Sequence, residues 1–257
     1  MTVAPAGADV RLAGELVREA GQLAQRMRAQ GLEAEQKSSI ADLVTAADRA
    51  AESLVVDRLA AQRPDDGVLG EEGAAREGVS GRRWIIDPVD GTYNFVRGLT
   101  WWCSALALVD GEDLVLGAVY HPHEDELYVG GPGLPTTCNG TPVAGVRDTP
   151  LAHACAVTYL HSSRFAETAG APYARLMSSV AAARVLGSGS MDMTAVARGI
   201  LDLFCQPAVP DWDRLPGWAL VQGAGGTVAQ VEAGGMLWSL AGAPTAVADA
   251  ATALIGE

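Results

Sequence analysis

The stretch Trp84–Gly98, WIIDPVDGTYNFVRG, runs three large apolar residues straight into Asp87-Pro88-Val89-Asp90 and then Gly91-Thr92. Trp84–Ile86 predicts a buried strand whose end should carry ordinary turn residues, and here two of those turn residues are ionised acids three positions apart. Pro88 holds Asp87 extended and fixes its own φ, so the chain turns sharply and both carboxylates can face one point. Two carboxylates sharing a site repel unless one takes a proton or a cation lies between them. Mg²⁺ suits such a pair, since it prefers oxygen ligands and keeps waters that can react. For these four residues alone, a plain Pro-x-Asp-Gly turn is the competing explanation. Gly91 allows close backbone approach, and a helix opening at Thr92 would point N–H groups at the spot beside the cation, which suggests a phosphoester.

Two more acid groups stand where loops can bring them to the same place. Gly70-Glu71-Glu72 follows the strand-like Val68-Leu69, and Asp211-Trp212-Asp213 precedes a predicted helix over Pro216–Gln222. A solvated acidic loop and a helix N-cap are the alternatives for each alone.

Working outward, the 257 residues are 49% hydrophobic and 19% charged, enough for one large core or two packed halves of a globular protein. Apolar runs are interrupted well before ~20 residues and no basic-then-apolar leader opens the chain, so we expect a soluble cytoplasmic protein with no membrane partner. A net charge of −13, from 18 Lys and Arg against 31 Asp and Glu, argues against a nucleic-acid partner. Cys103, Cys138, Cys155 and Cys205 form no C-x-x-C pair, which predicts buried free thiols.

The spacing Leu12, Leu16, Ala20, Leu23, Met27 predicts a first helix, and Thr45-Ala46-Ala47-Asp48 opens a second through Leu59. Ser104–Val109, Leu114–Tyr120 and Glu126–Val129 predict an antiparallel meander. The second half alternates: strand Ala154–Leu160, helix Phe165–Val180, strand Arg184–Leu186, helix Ser190–Arg198, strand Leu201–Phe204, helix Pro216–Gln222, strand Thr227–Val231 and a helix from Ala246. Mixed α and β in layers follows. We expect an N-terminal α+β half over 1–150, with the acid motif and the meander, and a C-terminal α/β half over 151–257, joined in one unit.

WIIDPVDGTYNF resembles the Asp-Pro-x-Asp-Gly-Thr-x-Asn-Phe signature of the inositol monophosphatase family, which also holds phosphatases for fructose 1,6-bisphosphate, histidinol phosphate and 3′-phosphoadenosine nucleotides. The likeness covers nearly the whole chain, through Lys37–Asp48, Gly70-Glu71-Glu72, Asn139-Gly140, Gly187–Met193 and Trp212-Asp213. It implies the α+β layered αβαβα sandwich, a homodimer, lithium inhibition, and two or three Mg²⁺ held by Glu71, Asp87, Asp90, the Val89 carbonyl and Asp213. Thr92 and Asp48 would orient the attacking water, Gly91 and Thr92 amides would receive the phosphate, and Lys37 would lie near the active site. The implied substrate is a small phosphorylated polyol, inositol 1-phosphate foremost, hydrolysed to inositol and phosphate without a covalent phosphoenzyme. Two metals ~3.5–4 Å apart would activate water and steady the leaving oxygen.

Departures bear on the substrate. Asn94-Phe95-Val96-Arg97-Gly98 has Arg97 where most members have His, a variant resembling some histidinol-phosphate phosphatases. Gln206, seven residues before Asp213, stands where the family's substrate-hydroxyl Glu is expected, and an amide gives less than a carboxylate to the ammonium of histidinol. Arg214-Leu215-Pro216-Gly217 replaces the usual small residues, with Pro216 expected in a helix's first turn. Gly187, Ser188, Asp90, Gln206 and Arg97 are the expected substrate contacts. The alternatives are the family's other esters and, in another class, an inactive metal-binding regulator. His121 and His123 read as a solvated hairpin turn away from the acids, Trp101-Trp102 as core or subunit interface, and Ser188 and Ser190 as pocket residues rather than nucleophiles.

Overall fold

In α1 (Gly7–Ala29) the apolar residues Leu12, Leu16, Ala20 and Ala24 recur at helical spacing and are buried, whereas Leu23 and Met27 are half-buried at the stripe's edge. The structure, a computed structural model, describes residues 7–31, 34–36 and 43–256, and Lys37 lies outside them. A short antiparallel pair, β1 (Ala34–Gln36) and β2 (Leu43–Thr45), leads into α2 (Ala46–Gln62). Thr45 caps α2: its hydroxyl accepts from Ala47 N and its backbone N–H donates to Asp48, the reciprocal arrangement expected of this start signal.

The first sheet runs β3 (Gly67–Gly70), β4 (Ala75–Arg76), β5 (Arg82–Asp90), then, after the short helix α3 (Thr92–Arg97), β6 (Cys103–Asp110), β7 (Asp113–His121), β8 (Glu126–Gly131), β9 (Leu134–Cys138) and β10 (Thr141–Pro142). In space the order is β10-β9-β8-β7-β6-β5-β3-β4, with β3 parallel to β5 and the meander antiparallel. Asn139 and Gly140 turn β9 into β10 with φ of 47° and 80°, the left-handed pair a two-residue hairpin requires. The remaining elements are β11 (Cys155–Thr158), α4 (Gly170–Ser179), β12 (Ala182–Arg184), α5 (Gly189–Ala197), β13 (Leu203–Pro207), α6 (Asp211–Gly223), β14 (Thr227–Ala233), β15 (Met236–Gly242) and α7 (Pro244–Ile255). Their strands form a second sheet ordered β12-β11-β13-β15-β14.

Three of the buried clusters among the described residues fill the interfaces between five layers, the middle one spanning two of them. Leu12, Leu16, Val55 and Leu59 of α1 and α2 pack on Trp84, Ile86, Leu106 and Leu108, one face of the first sheet. Its other face, with Ala105, Val119 and Tyr128, meets Met191, Met193, Leu220 and Val221 of α5 and α6, which also cover Phe204 and Ala241 of the second sheet. Leu176, Val247 and Leu254 of α4 and α7 close the far side over Leu203, Cys205 and Trp238. The order is αβαβα, as expected. Coverage on both faces explains why β6 and β7 read as continuous apolar runs rather than alternating ones. A Cβ on Gly117 of β7 would lie 2.3 Å from the Pro216 carbonyl, so glycine there lets α6 settle against the sheet backbone.

Several expected elements shift. Helix α6 begins at Asp211 rather than Pro216: Pro210 supplies an extended N-cap, the two acids suit the first turn, and Pro216 lies inside the helix. The helix expected from Phe165 begins at Gly170; Phe165 follows a short 3₁₀ turn and is exposed, and α4 carries Pro172 in its first turn, where a missing N–H costs nothing. The strand expected at Arg184–Leu186 is Ala182–Arg184, which frees Val185 and Leu186 for a cleft wall. Strand β15 has no expected counterpart, although Gly234-Gly235, both at positive φ, followed by Met236-Leu237-Trp238 is a hairpin signal. His121 is buried, its Nε2 hydrogen-bonded to the Thr100 carbonyl, rather than solvated. All four cysteines are free; Cys103 and Cys205 are buried, Cys138 and Cys155 only half-buried.

Candidate active site

Because β3 and β5 run parallel with Gly70 opposite Ile86, Glu71 follows the end of β3 beside Asp87 of β5. The acid motif then breaks register: Asp87 pairs with Ala105 and Asp90 with Cys103, three steps on β5 against two on β6. This bulge at Pro88, which has no N–H to give the ladder, twists the strand end and turns both carboxylates to one side. Asp213, in the first turn of α6, arrives from the layer between the sheets.

Oxygens of Asp87, Asp90 and Asp213 lie within 4.8 Å of one another. Asp87 is fully buried, and its Oδ2 has no hydrogen-bond partner. Burial, with the charges of Glu71, Asp90 and Asp213, pushes its carboxyl well above the ordinary range. Asp90 rises to about 6, chiefly through burial, against the opposing hydrogen bond from Ser190 N–H. Crowded acids and an orphaned inward oxygen are what a bound cation would relieve, so the residues fit a divalent metal.

The surroundings are built around this cluster. Gly91 has φ 91° and caps α3; a Cβ there would lie 3.0 Å from that of Ser188. The Thr92 hydroxyl lies 2.9 Å from the Val89 carbonyl and 3.1 Å from Asp48 Oδ1. Asp48 is itself buried behind Thr92, and burial raises its carboxyl despite the hydrogen bonds from Thr45. Asn94 donates to the carbonyls of Trp101 and Leu186 at 2.8 and 2.7 Å, tying the signature loop to the segment before α5. Gly189 N, at 3.1 Å, and Ser190 N, in the first turn of α5, donate to the two Asp90 oxygens, while Ser188 caps that helix.

These residues line a cleft of about 480 Å³. Of the expected site residues it collects Glu71, Asp87, Val89, Asp90, Gly91, Thr92, Gly187, Ser188, Gln206 and Asp213, with Asp48 one residue behind its wall. Arg97 is not among them: it is exposed on the last turn of α3, whose first turn, not its last, faces the acids. Arg214 also turns away, paired with Asp211 and stacked 4.4 Å over the Trp218 ring. Tyr93, Tyr159, Val185, Leu186 and Asp192, not among the expected site residues, also line the wall. Asp192, 2% exposed, accepts from Trp101 Nε1 at 2.8 Å. Its position inside the Gly187–Met193 motif was the one available signal.

A family model described as the inositol monophosphatase family matches residues 9–255. Inositol monophosphatase 1 of Sus scrofa is 32% identical over 242 residues, covering 91% of this chain and 82% of that protein. A Thermotoga maritima protein named fructose-1,6-bisphosphatase/inositol-1-monophosphatase is 31% identical over 194 residues, covering 76% and 73%. The crystal structure of extragenic suppressor protein suhB from Bartonella henselae superposes with a TM-score of 0.88 at 27% identity, over 97% and 99% of the two chains. With its signature acids gathered at one cleft in the shared layered fold, the chain belongs to the inositol monophosphatase family, and is a phosphatase acting on phosphate monoesters.

Proposed function

We propose that this phosphatase uses Mg²⁺ to hydrolyse a small phosphorylated polyol, with inositol 1-phosphate the preferred substrate. The observation that carries the metal is the Asp87, Asp90 and Asp213 cluster with its orphaned Asp87 Oδ2. These three, with Glu71 and the Val89 carbonyl, would hold two or three ions; when bound, such ions neutralise the phosphate, activate water and steady the leaving oxygen.

The protein's own groups supply the rest. With its proton directed at Asp48, the Thr92 oxygen offers a lone pair to the attacking water and orients it for in-line approach. A buried Asp48, held above the ordinary carboxylate range, is suited to accept that proton. Backbone N–H groups of Gly91 and Thr92 receive the phosphate, while Gln206, Gly187 and Ser188 face the polyol. The neutral amide of Gln206 gives a hydroxyl a hydrogen bond but an ammonium no full counter-charge, and Arg97, the residue that suggested histidinol phosphate, lies outside the cleft. The printed name of the Thermotoga maritima relative keeps a sugar bisphosphate as the second candidate. Family membership also supports a homodimer and lithium inhibition; among the described residues no helix is long and apolar enough to cross a membrane.

The test is phosphate release, with and without Mg²⁺, across inositol 1-phosphate, fructose 1,6-bisphosphate, histidinol phosphate and 3′-phosphoadenosine 5′-phosphate, with Asp90→Asn as the blank. We expect Mg²⁺-dependent release with inositol 1-phosphate preferred. Preference for another ester rejects the substrate assignment, and release that ignores Mg²⁺ or survives Asp90→Asn rejects the metal site.

A further inference from the structure

Behind the Glu71 loop sits an acid that none of the chemistry above uses. Glu52 lies on α2 four residues after Asp48, hence on the same helix face, and is only 5% exposed. Its carboxylate reaches into the turn between β3 and β4. Oε2 accepts from Glu72 N at 2.9 Å and Oε1 from Ala74 N at 3.0 Å, bracketing the turn just beyond Glu71.

The turn is built to wrap this group. Gly70 N donates to the Ala74 carbonyl at 2.7 Å, Glu71 N to Ile86 O at 3.1 Å, and Gly73 takes φ 106°. A Cβ on Gly70 would lie 2.1 Å from Glu52 Oε2, so the chain passes over the carboxylate only because residue 70 is glycine. What Glu52 meets here is a pair of backbone donors. A carboxylate, which accepts at both oxygens, satisfies them; an amide of the same size can satisfy only one and sets its own NH₂ against the other.

We propose that Glu52 is a positioning residue for Mg²⁺ capture: it holds the turn that aims Glu71 at the Asp87, Asp90 and Asp213 cluster, and it acts through Glu71 rather than on substrate. One face of α2 thereby serves the site twice, Asp48 fixing Thr92 and Glu52 fixing the Glu71 turn. This assignment rests on the metal reading above. Groups that orient a metal ligand typically carry about 10- to 100-fold in metal affinity.

Mg²⁺ is titrated calorimetrically into metal-free wild type, Glu52→Gln and Gly70→Ala, and phosphate release is followed against Mg²⁺ concentration. Both variants should bind Mg²⁺ about tenfold or more weakly. The Mg²⁺ needed for half-maximal release should rise by the same factor, with kcat recovering at saturating Mg²⁺ and the substrate KM there unchanged. A general loosening of the fold would lower kcat at every Mg²⁺ concentration, and that result overturns the assignment. So does a folded Glu52→Gln protein with wild-type Mg²⁺ affinity. Should Glu52→Gln not fold, Gly70→Ala decides alone, since it disturbs the same contact from the loop side. Wild type that binds no Mg²⁺ removes the metal reading and this inference with it, whereas a failure confined to the variants removes only this inference.

Discussion

Replacing Asp213 with Asn should make the metal-free protein more stable while ending its response to Mg²⁺. In the metal-free state Asp213 crowds Asp87 and Asp90, its charge being among the causes that raise Asp87, and an ionised pair within this cluster repels. With oxygens no more than 4.8 Å apart, the pair repels by about 3.5 kcal/mol at an effective dielectric constant of ~20. Asn keeps the shape and removes the charge, at a loss of roughly 0.3–1 kcal/mol for an acid in the first turn of a helix. The net gain of about 3 kcal/mol corresponds to roughly 5–10 °C in Tm for a chain of this size. In wild type, Mg²⁺ at ~100 times its Kd restores about 2.7 kcal/mol by mass action, and the variant should gain little of this. Thermal melts in EDTA and in Mg²⁺ at pH 8 read both effects. A variant no more stable than wild type in EDTA, or equally stabilised by Mg²⁺, would refute the claim that these carboxylates form one strained cation site.

Two further outcomes follow from named groups. Asp90 titrates at about 6 in the folded protein against an ordinary 3.8, so between those values the folded state binds the extra proton. Stability of the metal-free protein should therefore fall as pH rises from about 4 to about 6, by roughly 3 kcal/mol from this group alone, and stay low above; Asp87 and Asp48 act in the same direction. Melts in EDTA across that range check the sign, a rising Tm would contradict it, and saturating Mg²⁺ should flatten the trend. Asn94→Ala strands the Trp101 and Leu186 carbonyls. It should lower stability by about 2–4 kcal/mol and raise KM through the loosened cleft wall, measured by urea titration and steady-state kinetics; wild-type values of both would show that the bridge is dispensable.

The acid motif was readable from the chain because its chemistry is local. Pro88 confines Asp87, Gly91 is needed at a positive φ, and Asn94-Phe95 completes a pattern long enough to be specific. The meander was equally plain, since each hairpin turn interrupts an apolar run. Element ends were less so: the first turn of α6 and the start of α4 depend on how Pro210 and Pro172 are used, which propensity alone does not decide. Strand β15 was missed although its hairpin glycines and Trp238 were in view.

The residue types of the site, the order of its elements and the alternation that layers them are properties of the sequence, because short-range sterics and the burial of apolar faces act on neighbours in the chain. Which side chains enter the cleft is a property of the tertiary structure. Arg97 is adjacent in sequence to cleft residues yet points away at the end of α3, while Tyr159 and Asp192 reach the cleft from a different layer. Likewise Glu52 matters only because α2 packs where the Glu71 turn closes, a contact across 20 positions of chain that exists once the sheet is covered.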